Sequence, residues 1–431
     1  MRTRLRRFLL CFAAAALTTA ASDSNRLVVH EWGTFLAMSG SDGIALDGMY
    51  HEEHALPSFV HARSRDQLRL PTSRIKGETP VIYFYTARPR RARVDVGFPT
   101  GLWTQWYPQA TFVSPGLAKT GTAPLTRNGR IGWDLDIVPA DSPHGALPAT
   151  PSDALWNHAR QVDSAYVRTA SSPQPGVPAE WERFLFYRGL GEAPLPVSAR
   201  ASADRVTATT SEVTGLRHLF ILRVEGRRGA FSYISELAAG SVLEQRLPSM
   251  TDALPLETFA SRLSDAMARR LVESGLYEKE ARAMVNTWRA SYFQTEGVRL
   301  LFVLPQAWTD RFIPIAITPE PTALIRVMVG RLELLDPARE QRAEDAIRNL
   351  TSNDRVVRER AFALLRAEGR FIEPIVRRTL RTTTDASVRM LGQRLLSTDF
   401  VTRISAGQAD STGEPGPQTD RLASQAASSS P

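Results

Sequence analysis

The sequence predicts an α+β protein: a large β-rich, sandwich-like unit with an inserted helix pair, followed by a small α-helical module. Three observations predict it. From Arg26 to about Met250, apolar residues alternate or run in short β-branched and aromatic stretches bounded by Gly, Pro and Ser, the pattern of strands. Between Leu256 and Tyr292 the period lengthens to that of helices, and strand-like runs then return up to Leu335. After Pro337, apolar stripes at helical spacing lie among many arginines and glutamates.

The first segment, residues 1–21, has the layout of a secretory signal peptide. Arg2, Arg4, Arg6 and Arg7 precede the apolar run Phe8 to Leu17, which is too short to span a bilayer, and small residues follow near Ala21. The chain is therefore expected to be exported, periplasmic or extracellular, with its mature start near Ser22 and no transmembrane segment beyond it. Cleavage would remove Cys11, the only cysteine. Disulfides and Cys-ligated zinc are then not expected, and any divalent metal must be held by His, Asp or Glu.

Strands are predicted at Val81 to Thr86, Arg93 to Phe98, Arg183 to Tyr187, Val206 to Thr210, His218 to Val224 and Phe231 to Leu237. Asn128-Gly129 lies between alternating segments and suits the positive φ values of a tight hairpin turn. The Pro- and Ser-rich stretch from Pro139 to Pro178 predicts a long loop with one short helix around Asp153 to Gln161. Leu256, Phe259, Leu263, Met267 and Leu271 predict one amphipathic helix, and Ala281, Met284, Val285, Trp288 and Tyr292 a second, with Ser274-Gly275 between them. Strands resume at Val298 to Leu304, Ile313 to Thr318 and Ala323 to Leu335, so the helix pair near 256–292 belongs to the β-rich domain, residues 22–336.

Residues 337–398 carry two stripes, Val357, Ala361, Leu364 and Leu365, then Val388, Leu391 and Leu395. The stretches Asp354 to Gly369 and Ala386 to Leu396 resemble the helices of HEAT-type repeats. Solenoids usually need about three repeats to bury a continuous core, so two helical pairs would lean on the β-rich domain. The resemblance implies contact with another protein; a plain helical cap is the other reading. Residues 399–431, rich in Ser, Ala, Gly and Pro, are expected to be disordered.

The formal charge of +8 includes the four arginines of the signal segment. Only Lys76, Lys119 and Lys279 are lysines, and basic residues are scattered among acids, which argues against nucleic-acid binding. Even the densest run, Arg88, Arg90, Arg91 and Arg93, borders a turn and reads as solvated surface.

Arg26-Leu-Val-Val-His-Glu-Trp-Gly-Thr-Phe-Leu36, with Glu78 to Tyr85 and Gln306-Ala-Trp-Thr-Asp310, resembles a group of exported bacterial proteins that share a His-Glu-Trp-Gly-Thr-Phe core. The resemblance reaches to about Leu335 and implies no activity, because none is assigned to that group. Alternation puts Val28, His30, Trp32 and Thr34 on one strand face and Val29, Glu31 and Phe35 on the other.

Four of the seven histidines, His30, His51, His54 and His61, crowd near the start of the mature chain among Glu31, Glu52, Glu53, Asp42 and Asp47. Histidine is the commonest metal ligand, so His30, His51, His54 and Glu53 form the candidate site for a divalent metal, with His61 as a further ligand. His51-Glu-Glu-His54 lacks the i, i+4 histidine spacing of the zincin metalloproteases. A solvated polar loop is the alternative, and for His30 a buried core histidine hydrogen-bonded to backbone.

Gly101 to Pro108 carries Trp103, Gln105, Trp106 and Tyr107 in an expected loop, where exposed rings could stack on a glycan or apolar ligand; core filling is the other reading. The chain has neither a Gly-rich phosphate loop nor a Gly-x-Ser-x-Gly elbow. The sequence thus points first to an exported protein that binds a ligand or envelope component and carries a protein-contact helical module. The alternative is a metal-dependent hydrolase using the His-rich segment.

Overall fold

The structure, a computed structural model, describes residues 25–50, 54–63, 72–116, 127–169 and 178–397. Residues 1–21, expected to be a signal segment, His51 to Glu53 and the stretch expected to be disordered lie outside the described residues.

Three layers are stacked around an eleven-stranded sheet. At its centre the strand Leu27–Ser39 runs parallel to Ala323–Leu334, with Val28 beside Ala323 and Ser39 beside Leu334. On its other side it runs antiparallel to Val81–Thr86 and Ile75–Gly77. Beyond Ala323–Leu334 follow Gly297–Val303, Leu216–Glu225 and Arg228–Leu237, all antiparallel. Beyond Ile75–Gly77 follow Leu185–Gly191 and Gly101–Tyr107. Every residue of Leu27–Ser39 is buried, because both faces of the sheet are covered.

One face packs against a six-stranded sheet, in which Arg90–Phe98 pairs with Gly129–Val138, and against a three-stranded sheet, Val197–Ala201, Arg205–Thr210 and Val242–Arg246. Val29, Phe35 and Leu185 from the large sheet meet Val94, Val96, Trp133 and Leu135 from the smaller one in a single core. This is the sandwich that the alternation predicted. Asn128 takes φ 89°, but Gly129 does not take a positive φ and opens the strand Gly129–Val138, which pairs with Arg90–Phe98 and Phe112–Ser114, so the two-residue hairpin turn expected at Asn128-Gly129 is not seen among the described residues.

The other face is covered by the helix pair, Leu256–Glu273 and Glu278–Trp288, the second ending in a π-helical turn, Arg289–Phe293. Phe259, Leu263, Met267, Met284 and Trp288 pack on Trp32, Tyr83, Leu222, Leu301 and Val327. The expected faces of the first strand are those observed: Trp32 meets the helices, while Val29 and Phe35 meet the sandwich.

Four helices close the described chain, Pro337–Asn349, Arg355–Ala367, Ile372–Thr382 and Ala386–Ser397. Asp336 starts them, its carboxylate accepting from the Arg339 backbone N–H at 2.9 Å with Pro337 in the first turn. Ile347, Leu365, Ile372, Val376 and Leu391 form their own small core. A second cluster joins Ala343, Phe371 and Ile375 to Leu36, Met38, Leu46, Met49 and Leu335, so these helices lie against the end of the large sheet. Among the described residues, no helix is long and apolar enough to cross a membrane.

Candidate functional site

The His-Glu-Trp-Gly-Thr-Phe core ties the layers together. His30 Nδ1 lies 2.8 Å from Glu280 Oε2, and the same carboxylate accepts from the Tyr85 hydroxyl at 2.7 Å and the Tyr277 backbone N–H at 2.7 Å. The last bond also caps the helix Glu278–Trp288. One residue on, Glu31 points to the sandwich side, where it accepts from Tyr187 and pairs with Arg326, which reaches Asp310 at 2.8 Å. Burial pushes the Glu31 carboxyl up, against the opposing pull of Arg326. Gly33 permits a close approach, since a Cβ there would lie 2.7 Å from Pro80 Cα. Phe35 meets the edge of Trp308, and Gln306 accepts from the Arg326 backbone N–H, so Gln306 to Asp310 serves the same junction.

The proposed metal set is not assembled from described residues. His51 and Glu53 lie outside them, His30 is buried with its Nδ1 on Glu280, and His54 is exposed at the rim of a cavity. Among the described residues, no group of three or more His, Cys, Asp or Glu side chains is placed so that it could hold a metal ion. His61 pairs elsewhere, its Nε2 lying 2.9 Å from Glu180.

The expected exposed loop at Gly101 to Pro108 is a correction. Gly101–Tyr107 is a strand, paired with Leu185–Gly191 and His61–Ala62, and Trp103, Trp106 and Tyr107 are buried while Gln105 is half-buried. The cause lies across the pairing: a Cβ at Gly189 would sit 2.7 Å from Trp103 Cε3, so glycine makes room for the ring. Trp103 is further held by its Nε1 donating to the Val96 carbonyl at 3.2 Å and by an edge contact with Tyr187. These side chains fill the core and do not present a stacking platform. Tyr107 packs behind Trp156, in the wall of the cavity described next.

That cavity, about 430 Å³, lies between the large sheet and the helical layer. Trp32, Val81, Phe184 and Phe186 form its sheet wall, Trp288, Ser291 and Tyr292 its helical wall, and Pro151 to Trp156 and Ala55 to Pro57 its rim. Trp156 is fixed by its Nε1 donating to Glu182 at 2.9 Å, and Arg160 holds the same carboxylate at 2.6 Å. Trp288 stacks on Tyr292, 5.2 Å away, because the π-helical turn brings the second ring under the first.

The polar part of the wall is Glu78 and Arg188. Glu78 accepts from the Tyr292 hydroxyl and faces Lys76 Nζ at 3.6 Å and Arg331 Nη1 at 3.8 Å. Arg188 Nε donates to the Glu78 carbonyl at 2.8 Å. Below them Arg331 and Arg299 share Glu333, at 2.7 and 3.2 Å, and donate to the carbonyls of Ser291, Tyr292, Thr295 and Glu296. Buried arginines thus satisfy the carbonyls that the end of the helical hairpin leaves without helical partners.

The cavity falls in the size range of small-molecule sites, about 300–1,000 Å³, with an aromatic body and a confined polar patch. Glu78, Arg188, Trp156, Trp288 and Tyr292 were not singled out as a site by the sequence. Trp288 and Tyr292 carried a signal, since two large aromatics closed one helical stripe.

No protein-family model matches this sequence, and no curated protein does. Among solved structures, the yeast delta-COP-I mu-homology domain is similar over 72% of this chain and 96% of that chain, at 9% identity and a TM-score of 0.26.

Proposed function

We propose that this chain is an exported binding protein that holds a small, largely apolar molecule in the chamber between sheet and helices. The observation that carries the reading is the chamber itself: three tryptophans from three segments surround about 430 Å³, with Glu78 and Arg188 as its polar wall. Export rests on the basic and apolar layout of residues 1–21. We assign the helices of residues 337–397 to contact with another protein, on the resemblance of Asp354 to Gly369 and Ala386 to Leu396 to HEAT-type helices.

Native mass spectrometry of the full chain, recovered from the envelope or medium of its own host, tests the reading. The expected result is a non-covalent organic adduct that is lost on denaturation. A protein that carries no organic adduct but a stoichiometric zinc, manganese or iron ion would instead favour a metal-dependent hydrolase built on the His-rich segment.

A further inference from the structure

We propose that the guest of the chamber is an uncharged aromatic molecule with one neutral oxygen, a hydroxyl or a carbonyl, that hydrogen-bonds to the side chain of Ser291. The inference rests on the chamber reading above and adds the chemistry of the occupant and the residue that recognises it.

The walls set the body. Trp32 from the sheet, Trp156 from a short helix and Trp288 from the helical layer line one space with Phe184 and Tyr292. Rings offered from several directions suit a planar aromatic guest, which can stack on one and meet the edge of another.

The charges argue against an ionic head. Glu78 accepts from the Tyr292 hydroxyl and faces Lys76 and Arg331. Arg188, 5% exposed, donates to the Glu78 carbonyl at 2.8 Å and lies over the Phe186 ring. Both ionic side chains of the buried wall are thus engaged within the protein. A charged guest would give up its water and gain no unpaired partner there, which makes its burial costly. His54 and Asp153 at the rim are exposed, so water already serves them.

A neutral oxygen meets the opposite situation. Ser291 lines the chamber from the π-helical turn Arg289–Phe293 and is 5% exposed. The hydroxyls four residues to either side bond back to helical carbonyls, Thr287 to Ala283 at 2.8 Å and Thr295 to Ser291 at 2.7 Å. The Ser291 carbonyl is taken up by Thr295 and Arg331, whereas its hydroxyl has no partner among the described residues. Buried hydroxyls are nearly always paired, and π-helical turns recur at functional sites, so an unpaired hydroxyl on a cavity wall marks a place for a guest atom. Thr79, also on the wall, is reached by Trp288 Nε1 and Thr34 Oγ1 only at 3.4 Å, so its oxygen keeps room for a second, weaker contact.

The test is a fluorescence titration of the full mature chain and of Ser291→Ala with four probes that share one ring body: naphthalenemethanol, ethylnaphthalene, naphthoate and (naphthylmethyl)trimethylammonium. In the wild type the alcohol is expected to bind at least about 10-fold more tightly than either charged probe, as the cost of burying an unpaired charge requires. Ser291→Ala is expected to weaken the alcohol about 2- to 10-fold, the net effect of one neutral hydrogen bond, and to leave ethylnaphthalene unchanged. The hydrocarbon, together with the unfolding midpoint of the variant, separates a lost hydrogen bond from a damaged chamber. A charged probe that binds as tightly as the alcohol overturns the inference, as does a Ser291→Ala variant that affects alcohol and hydrocarbon equally or affects neither. In those cases binding of the ring body leaves the chamber reading standing; if no probe binds, both fall.

Discussion

His30 and Glu280, 250 positions apart in the sequence, meet with Nδ1 2.8 Å from Oε2, and both side chains are buried. Their contact fastens the helical layer to the central strand at the edge where Tyr85 and Tyr277 also meet. His30→Ala leaves a buried carboxylate without one of its partners, and the expected loss is about 3–5 kcal/mol of unfolding free energy. Glu280→Gln removes the charge but keeps an acceptor, so about 1–3 kcal/mol is expected. Urea denaturation of the two variants reads the difference, and equal, negligible losses would show that the pair does not hold the layers.

Much of the architecture was legible because its signals are local. The two faces of Val28 to Phe35, the helix pair and the stripes after Pro337 each follow from a period within one segment. What was not legible depends on partners distant in sequence. Gly101–Tyr107 read as a loop because Gly189, the glycine that makes room for Trp103, lies on the paired strand. His30 read either as a metal ligand or as a core histidine bonded to backbone, because Glu280, its side-chain partner, sits on a helix of the other layer. Lys76, Arg299 and Arg331 are buried although such residues normally mark solvent, and the chamber gathers side chains from segments no single window contains.

Gly33→Ala is expected to destabilise by about 1–3 kcal/mol, the usual cost of overpacking, because backbone at Pro80 and the sulfur of Met328 at 3.0 Å would obstruct the new methyl. Among the described residues nothing lies within 4 Å of a methyl at Gly116, and Gly116→Ala serves as the control. Thermal unfolding of the two side by side checks the contrast, and equal midpoints would contradict the close packing at Gly33.

Burial pushes His158 and His218 below their ordinary value of 6.5, and Arg217 adds to the effect at His218. A lowered histidine value means the fold prefers the neutral ring, so this stability is present above the unfolded value and lost as pH falls below 6.5. Glu31 and Glu373, pushed up by burial, act in the opposite sense, because their protonated forms are favoured by the fold. The informative quantity is therefore the difference between wild type and His218→Asn, a residue that tolerates the φ of 55° found there. Between pH about 7 and about 5 the wild type should lose more stability than the variant. Parallel slopes would contradict the burial of His218.

Removal of residues 337–431 would uncover Leu36, Met38, Leu46, Met49 and Leu335, which the C-terminal helices cover. The fragment Ser22 to Asp336 is expected to aggregate, or to bind an apolar dye that the full chain does not bind. A monomeric fragment with unchanged unfolding behaviour would show instead that the helices are a detachable appendage.

The claim that the chamber takes a small molecule is tested most directly by tryptophan quenching with naphthalenemethanol, compared between the full mature chain and Ala154→Trp. Ala154 is half-buried at the rim, so a large ring there blocks the entrance with little disturbance of the core. Saturable quenching with a single site in the wild type, and its loss in Ala154→Trp at an unchanged unfolding midpoint, is the predicted result. Quenching that never saturates in the wild type, or that is the same in both proteins, would contradict it.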